Sequence, residues 1–174
     1  MVLNKLIIVI NGKGGVGKDT LCNSLSGRYH VMNVSAIDPI KQIARQFGWN
    51  GEKDDRSRRF LAELKQAFIH YNDLPTEYLR DQTEEFLEGQ AEILFVHIRE
   101  ADQIERYKQA VFPRRCVTLL VKRDAVDTGH LYGNKADDLV ENYSYDYVFE
   151  NNLPVEESIS AFSALVGDIA AAEL

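Results

Sequence analysis

Leu6-Ile7-Ile8-Val9-Ile10-Asn11-Gly12-Lys13-Gly14-Gly15-Val16-Gly17-Lys18-Asp19-Thr20 is the stretch that decides how this chain folds. Residues 6–10 are a continuous, β-branched apolar run, the composition of a strand buried on both faces of a parallel sheet. The glycines that follow fit G-x-x-x-x-G-K, and a helix over residues 18–28 is expected next. Glycine allows successive backbone N–H groups to turn inward onto an anion. The amino end of the following helix adds partial positive charge. Gly12, Lys13, Gly14, Gly15, Val16, Gly17, Lys18, Asp19 and Thr20 are therefore expected to hold the phosphates of ATP. Lys18 is the expected catalytic cation, reaching the β- and γ-phosphates during transfer.

Asp19 departs from the usual motif, in which a Ser or Thr hydroxyl at that position ligates Mg²⁺. A carboxylate is a hard donor that can hold Mg²⁺ directly or through water. The same residue also suits the start of a helix, where it opposes the helix dipole. Both roles need the same location. Thr20 can instead meet the α-phosphate.

Working outward, short strands are expected near residues 31–35, 93–98, 115–121 and 145–150. Helices are expected over 38–47, 60–71, 76–88, 101–110 and 154–172, each from apolar residues at helical spacing or from caps. Asp38-Pro39 has the form of an N-cap followed by proline at the first helical position. Strands alternating with helices imply a doubly wound parallel sheet. The consecutive helices between the second and third strands break that alternation and are of a size to build one wall of a substrate site.

The chain has 174 residues, enough for one domain with a full core. Its formal net charge of −7 argues against nucleic acid polymers as partners, although nucleotides need only a local cluster of cations. No apolar run is long enough to span a membrane or to serve as a signal peptide. Cys22 and Cys116 lie far apart in apolar patterns, as two reduced thiols in a cytoplasmic protein. A monomer or homodimer is the default assembly.

Gly17-Lys18-Asp19-Thr20 after a glycine loop resembles the phosphate loop of the phage-type deoxynucleoside monophosphate kinases, and more distantly that of animal-type phosphomevalonate kinases. Ala36-Ile37-Asp38-Pro39-Ile40-Lys41, Phe47-Gly48-Trp49 and the arginine-rich residues 56–59 resemble the acceptor-side helices of that group. Residues 94–100 and 145–151 resemble its third and last strands. The resemblance covers most of the chain, and only the phosphate loop is a specific motif. It implies a P-loop NTPase fold, a three-layer α/β/α arrangement around a five-stranded parallel sheet. It also implies a helical acceptor-binding insertion at about residues 38–90 and a short lid at about 123–141.

Kinases of this architecture align two phosphates and surround the transferred group with positive charge. Arg99 and Arg123 each follow the carboxyl end of an expected core strand, where open α/β sheets bind ligands, and are candidate catalytic cations. Asp38, Lys41, Arg45, Arg58 and Arg59 are candidate contacts to a small phosphorylated acceptor, a role the resemblance implies for the insertion arginines. An aspartate typically closes the third strand in this group and helps hold Mg²⁺, but this chain has His97 there. Neutral imidazole is a poor Mg²⁺ partner. Asp19 and Glu100 are the candidate metal ligands in its place.

Lys13-Gly14-Gly15-Val16-Gly17-Lys18 also resembles the phosphate loop of the partition and septum-site ATPases, whose first lysine reaches a partner's nucleotide. Asp19, the absence of aspartate at the end of the third strand and the short chain oppose that reading. Its consequence would be a regulatory switch. A third reading, motivated by His97, is a nucleotide-binding module without turnover.

Overall fold

The computed structural model describes residues 5–124 and 139–173. Its strands are β1 (Leu6–Asn11), β2 (Val31–Ser35), β3 (Ile93–His97), β4 (Val117–Lys122) and β5 (Tyr147–Glu150). They form one five-stranded sheet in the order β2-β3-β1-β4-β5, and every pairing is parallel. The apolar run at residues 6–10 is central because its side chains need burial on both faces, and every residue of β1 is buried.

Two helices cover one face, α1 (Lys18–Ser24) and α6 (Val155–Glu173). Leu21 and Cys22 from α1 join Phe162, Val166 and Ile169 from α6 over Ile8, Ile10, Phe95 and Leu119. Between β2 and β3 lie α2 (Asp38–Gln46), α3 (Asp55–Asn72) and α4 (Leu74–Glu88), and α5 (Ala101–Ala110) follows β3. The opposite face is covered by α4 and α5, with Leu79, Phe86, Ile104 and Tyr107 over Ile7, Val9, Leu94 and Val96. The result is the expected three-layer α/β/α arrangement.

The helical region between β2 and β3 therefore has two parts. α4 is a crossover helix packed on the sheet. α2 and α3 have a smaller core of their own, in which Ile40, Ala44 and Leu61 meet Trp49, Leu64 and Phe68. Helix α3 begins earlier than its apolar pattern indicates. The Asp54 side chain caps it by accepting a 2.7 Å hydrogen bond from the Ser57 N–H, and the added turn is polar. α1 is shorter than expected and ends in a 3₁₀ turn at Leu25–Gly27, with the Ser24 hydroxyl bonded back to the Leu21 carbonyl. Most of the expected lid, residues 125–138, lies outside the described residues; Val140–Asn142 after it forms a 3₁₀ turn. Among the described residues no helix is long and apolar enough to cross a membrane.

Candidate active site

The glycine loop leaves the carboxyl end of the central strand, where β1 is flanked by β3 and β4. Asn11, the last residue of β1, is fully buried and organises the turn. Its Oδ1 accepts from the Gly12 N–H at 2.8 Å, and its Nδ2 donates to the Arg99 carbonyl at 3.0 Å and the Tyr145 hydroxyl at 2.8 Å. Gly12 has φ 153°, and a Cβ there would lie 2.5 Å from the Val121 carbonyl oxygen. Gly17, the N-cap of α1, sits in the left-handed region at φ 92°. A Cβ on it would lie 2.7 Å from Asn151 Nδ2, which donates a 2.7 Å hydrogen bond to the Val16 carbonyl. These two positions therefore require glycine. The loop is held at both ends by asparagines that follow or close core strands.

Lys18 folds over this loop. Its ammonium donates to the Gly12 carbonyl at 2.5 Å and the Lys13 carbonyl at 3.3 Å. Val16 is buried and anchors the loop in the core, so it contributes backbone only. Asp19 and Thr20 are exposed in the first turn of α1, next to Lys18. Among the described residues no group of three or more acidic, His or Cys side chains is placed to form a metal cage.

His97 closes β3 opposite Ile10 and Ser35, and its Nε2 lies 3.2 Å from Asn33 Oδ1. Burial pushes its pKa down to about 4. Lys18 and Arg99 act in the same direction, while Asp19 opposes them. The ring is therefore neutral at pH 7, chiefly because it is buried.

Two sequence expectations need correction. Glu100 is not an open metal ligand, because both its oxygens are engaged by the Lys65 ammonium at 2.8 and 2.7 Å. Lys65 is itself buried in α3 and needs a counter-charge. Asp38 is not the N-cap of α2. Ile37 occupies that position, and Asp38 is the first helical residue, with its carboxylate turned back to accept from the Ser35 N–H at 2.7 Å.

The cations expected on the acceptor side lie on α2 and α3. Arg45 stacks over the Trp49 ring at 5.3 Å, and Arg58 pairs with Asp55 at 3.7 Å. Lys41 is half-buried and Arg59 exposed. Arg99 and Arg123 are exposed past the ends of β3 and β4, the former two residues beyond His97. Sequence reasoning missed Asn11, Asn151, Lys65 and Tyr145. Lys65 did carry a signal, since it falls between Leu61 and Ile69 on the buried stripe of α3.

No protein-family model matches the chain, and comparison with curated proteins finds no relative. Solved structures do resemble it over nearly its full length. The tunicamycin resistance protein of Deinococcus radiodurans matches with TM-score 0.56 and 18% identity, over 94% of this chain and 96% of that one. A gluconokinase from Sinorhizobium meliloti gives 0.54 and 12%, over 98% and 96%. The shikimate kinase of Aquifex aeolicus gives 0.52 and 13%, over 95% and 99%. The chain thus has the α/β fold seen in P-loop kinases, a five-stranded parallel sheet flanked by helices.

Proposed function

We propose that this chain is an ATP-dependent phosphotransferase acting on a small phosphorylated acceptor, with a (deoxy)nucleoside monophosphate as the first choice. The observation that carries the reading is the glycine loop between β1 and α1, closed over by Lys18 and built on a backbone at Gly12 and Gly17 that leaves no room for a side chain, as a turn that wraps an anion requires. The names of similar folds, a gluconokinase and a shikimate kinase, support small-molecule phosphoryl transfer in general.

In this reading the loop's N–H groups cradle the phosphates, and the Lys18 ammonium exchanges its backbone carbonyls for phosphate oxygens. That exchange needs no large movement, because Lys18 already lies over the loop. Arg99 and Arg123 supply charge to the transferred group from the ends of β3 and β4. Lys41, Arg45, Arg58 and Arg59 orient the acceptor from the insertion, with Asp38 fixing the start of α2 beneath them. Asp19 would hold Mg²⁺, with Thr20 beside it; the ion, when bound, neutralises developing charge on the phosphates.

The test is to incubate the protein with Mg²⁺, labelled ATP and a panel of nucleoside and deoxynucleoside monophosphates, phosphomevalonate, gluconate and shikimate. Label transfer to a monophosphate is the expected result. Transfer to gluconate or shikimate alone would remove the phosphorylated-acceptor part of the reading. Slow hydrolysis with ATP-dependent dimerisation would replace it by the switch, and tight binding with neither would leave a binding module.

A further inference from the structure

Glu141 places a carboxylate between two cations of the phosphate site. Its Oε1 lies 3.4 Å from Lys13 Nζ in the glycine loop, and its Oε2 lies 3.3 Å from Lys122 Nζ at the end of β4. The turn that carries it is fixed. Val140 is buried, and its carbonyl accepts a 2.6 Å hydrogen bond from the Tyr145 hydroxyl, which in turn accepts from Asn11. The network that sets the first residue of the loop therefore also sets Glu141 above it.

A carboxylate offers the same charge sign and paired oxygen acceptors as a phosphate. Lys13 and Lys122 flank the place where phosphates would enter the loop, so an arriving polyphosphate meets cations that are already partnered. We propose that Glu141 is an affinity-setting residue of the nucleotide site, an internal anion that the phosphates of the bound nucleotide displace from Lys13 and Lys122. This rests on the reading of the loop as a triphosphate site. Partly exposed ion pairs are individually weak. Glu141 therefore tunes affinity and does not block binding.

The test compares wild type with Glu141→Gln by calorimetric titration with a non-hydrolysable ATP analogue at several salt concentrations. Glutamine keeps the shape and removes the charge. Affinity should rise about 3- to 10-fold in the variant, the range two weak pairs allow. Log affinity should also fall more steeply with salt, because the site has gained net positive charge. Glu141→Asp should remain near wild type. In a Lys13→Met background the gain from Glu141→Gln should shrink, since one displaced partner is already gone. Analogue binding that is unchanged or weaker in Glu141→Gln overturns this inference alone. No analogue binding by either protein overturns the triphosphate reading and this inference with it.

Discussion

Replacing Lys65 by methionine should loosen the joint between the insertion and the sheet. The Lys65 side chain is 9% exposed and the Glu100 side chain 19%, with a closest approach of 2.7 Å. At that distance and an effective dielectric constant of about 20, Coulomb attraction is about 6 kcal/mol. Withdrawing both charges from water offsets most of it, so the pair as a whole is close to neutral in stability. Removing one partner is different. Methionine keeps the length of the side chain but leaves the Glu100 carboxylate against apolar atoms. Breaking a buried pair in this way costs about 3–5 kcal/mol, and the residual exposure of Glu100 reduces the expectation to about 2–3 kcal/mol. With about 2–4 °C per kcal/mol for a chain of this size, Lys65→Met should melt roughly 4–12 °C lower. Glu100→Gln should lose about 1–3 kcal/mol, and the double variant should recover a coupling of about 1–3 kcal/mol in urea unfolding. A coupling below about 0.5 kcal/mol would refute the reasoning.

Three further outcomes are expected. Gly12→Ala should destabilise by about 2–4 kcal/mol, because its Cβ would meet a backbone carbonyl of β4 that cannot withdraw alone; a thermal melt matching wild type contradicts this. His97 has a folded pKa of about 4 against 6.5 when unfolded, so the unfolded chain takes up the proton first as pH falls. Its contribution is intact above about pH 6.5 and is lost toward pH 4, by up to about 3 kcal/mol. His97→Asn should flatten that part of the pH–stability curve relative to wild type, and parallel curves would exclude the cause. Lys18→Ala should reduce phosphoryl transfer by at least about 10²- to 10³-fold while losing only about 1 kcal/mol of stability, measured by label transfer and by urea unfolding; undiminished transfer would move the active site elsewhere.

Much of the fold is written locally. β1, the glycine loop and the start of α1 follow from composition and φ requirements that neighbouring residues satisfy together, and β2 and α5 lie where their patterns place them. Other features depend on contacts between distant segments. Asn11 has the look of an ordinary turn residue, yet its side chain bonds to Arg99 and Tyr145, which packing alone brings together. Glu100 has the look of a spare ligand until α3 presents Lys65 to it. α4 shares its amphipathic pattern with α3, and only the topology shows that it covers the sheet while α3 builds the insertion. Asp38-Pro39 reads as a cap and its first helical residue, but the Asp38 carboxylate accepts from the Ser35 N–H at the end of β2 and leaves the first-turn N–H groups of α2 without a side-chain cap, a partner choice that depends on how the strand enters the helix.

The buried Asn11 also governs how the protein ages. Asn-Gly steps are prone to deamidation, because the glycine nitrogen can attack the asparagine side-chain carbon when the backbone is free to bring them together. At Asn11-Gly12 that nitrogen already donates to the side-chain oxygen, the amide nitrogen has two acceptors, and water is excluded. Asn50-Gly51, in the segment between α2 and α3, has an exposed asparagine. Chemical damage to the folded protein should therefore accumulate within the insertion and spare the phosphate loop. Once the chain unfolds, the loop loses that protection, and each excursion carries a chance of converting Asn11 into a residue that cannot rebuild the turn.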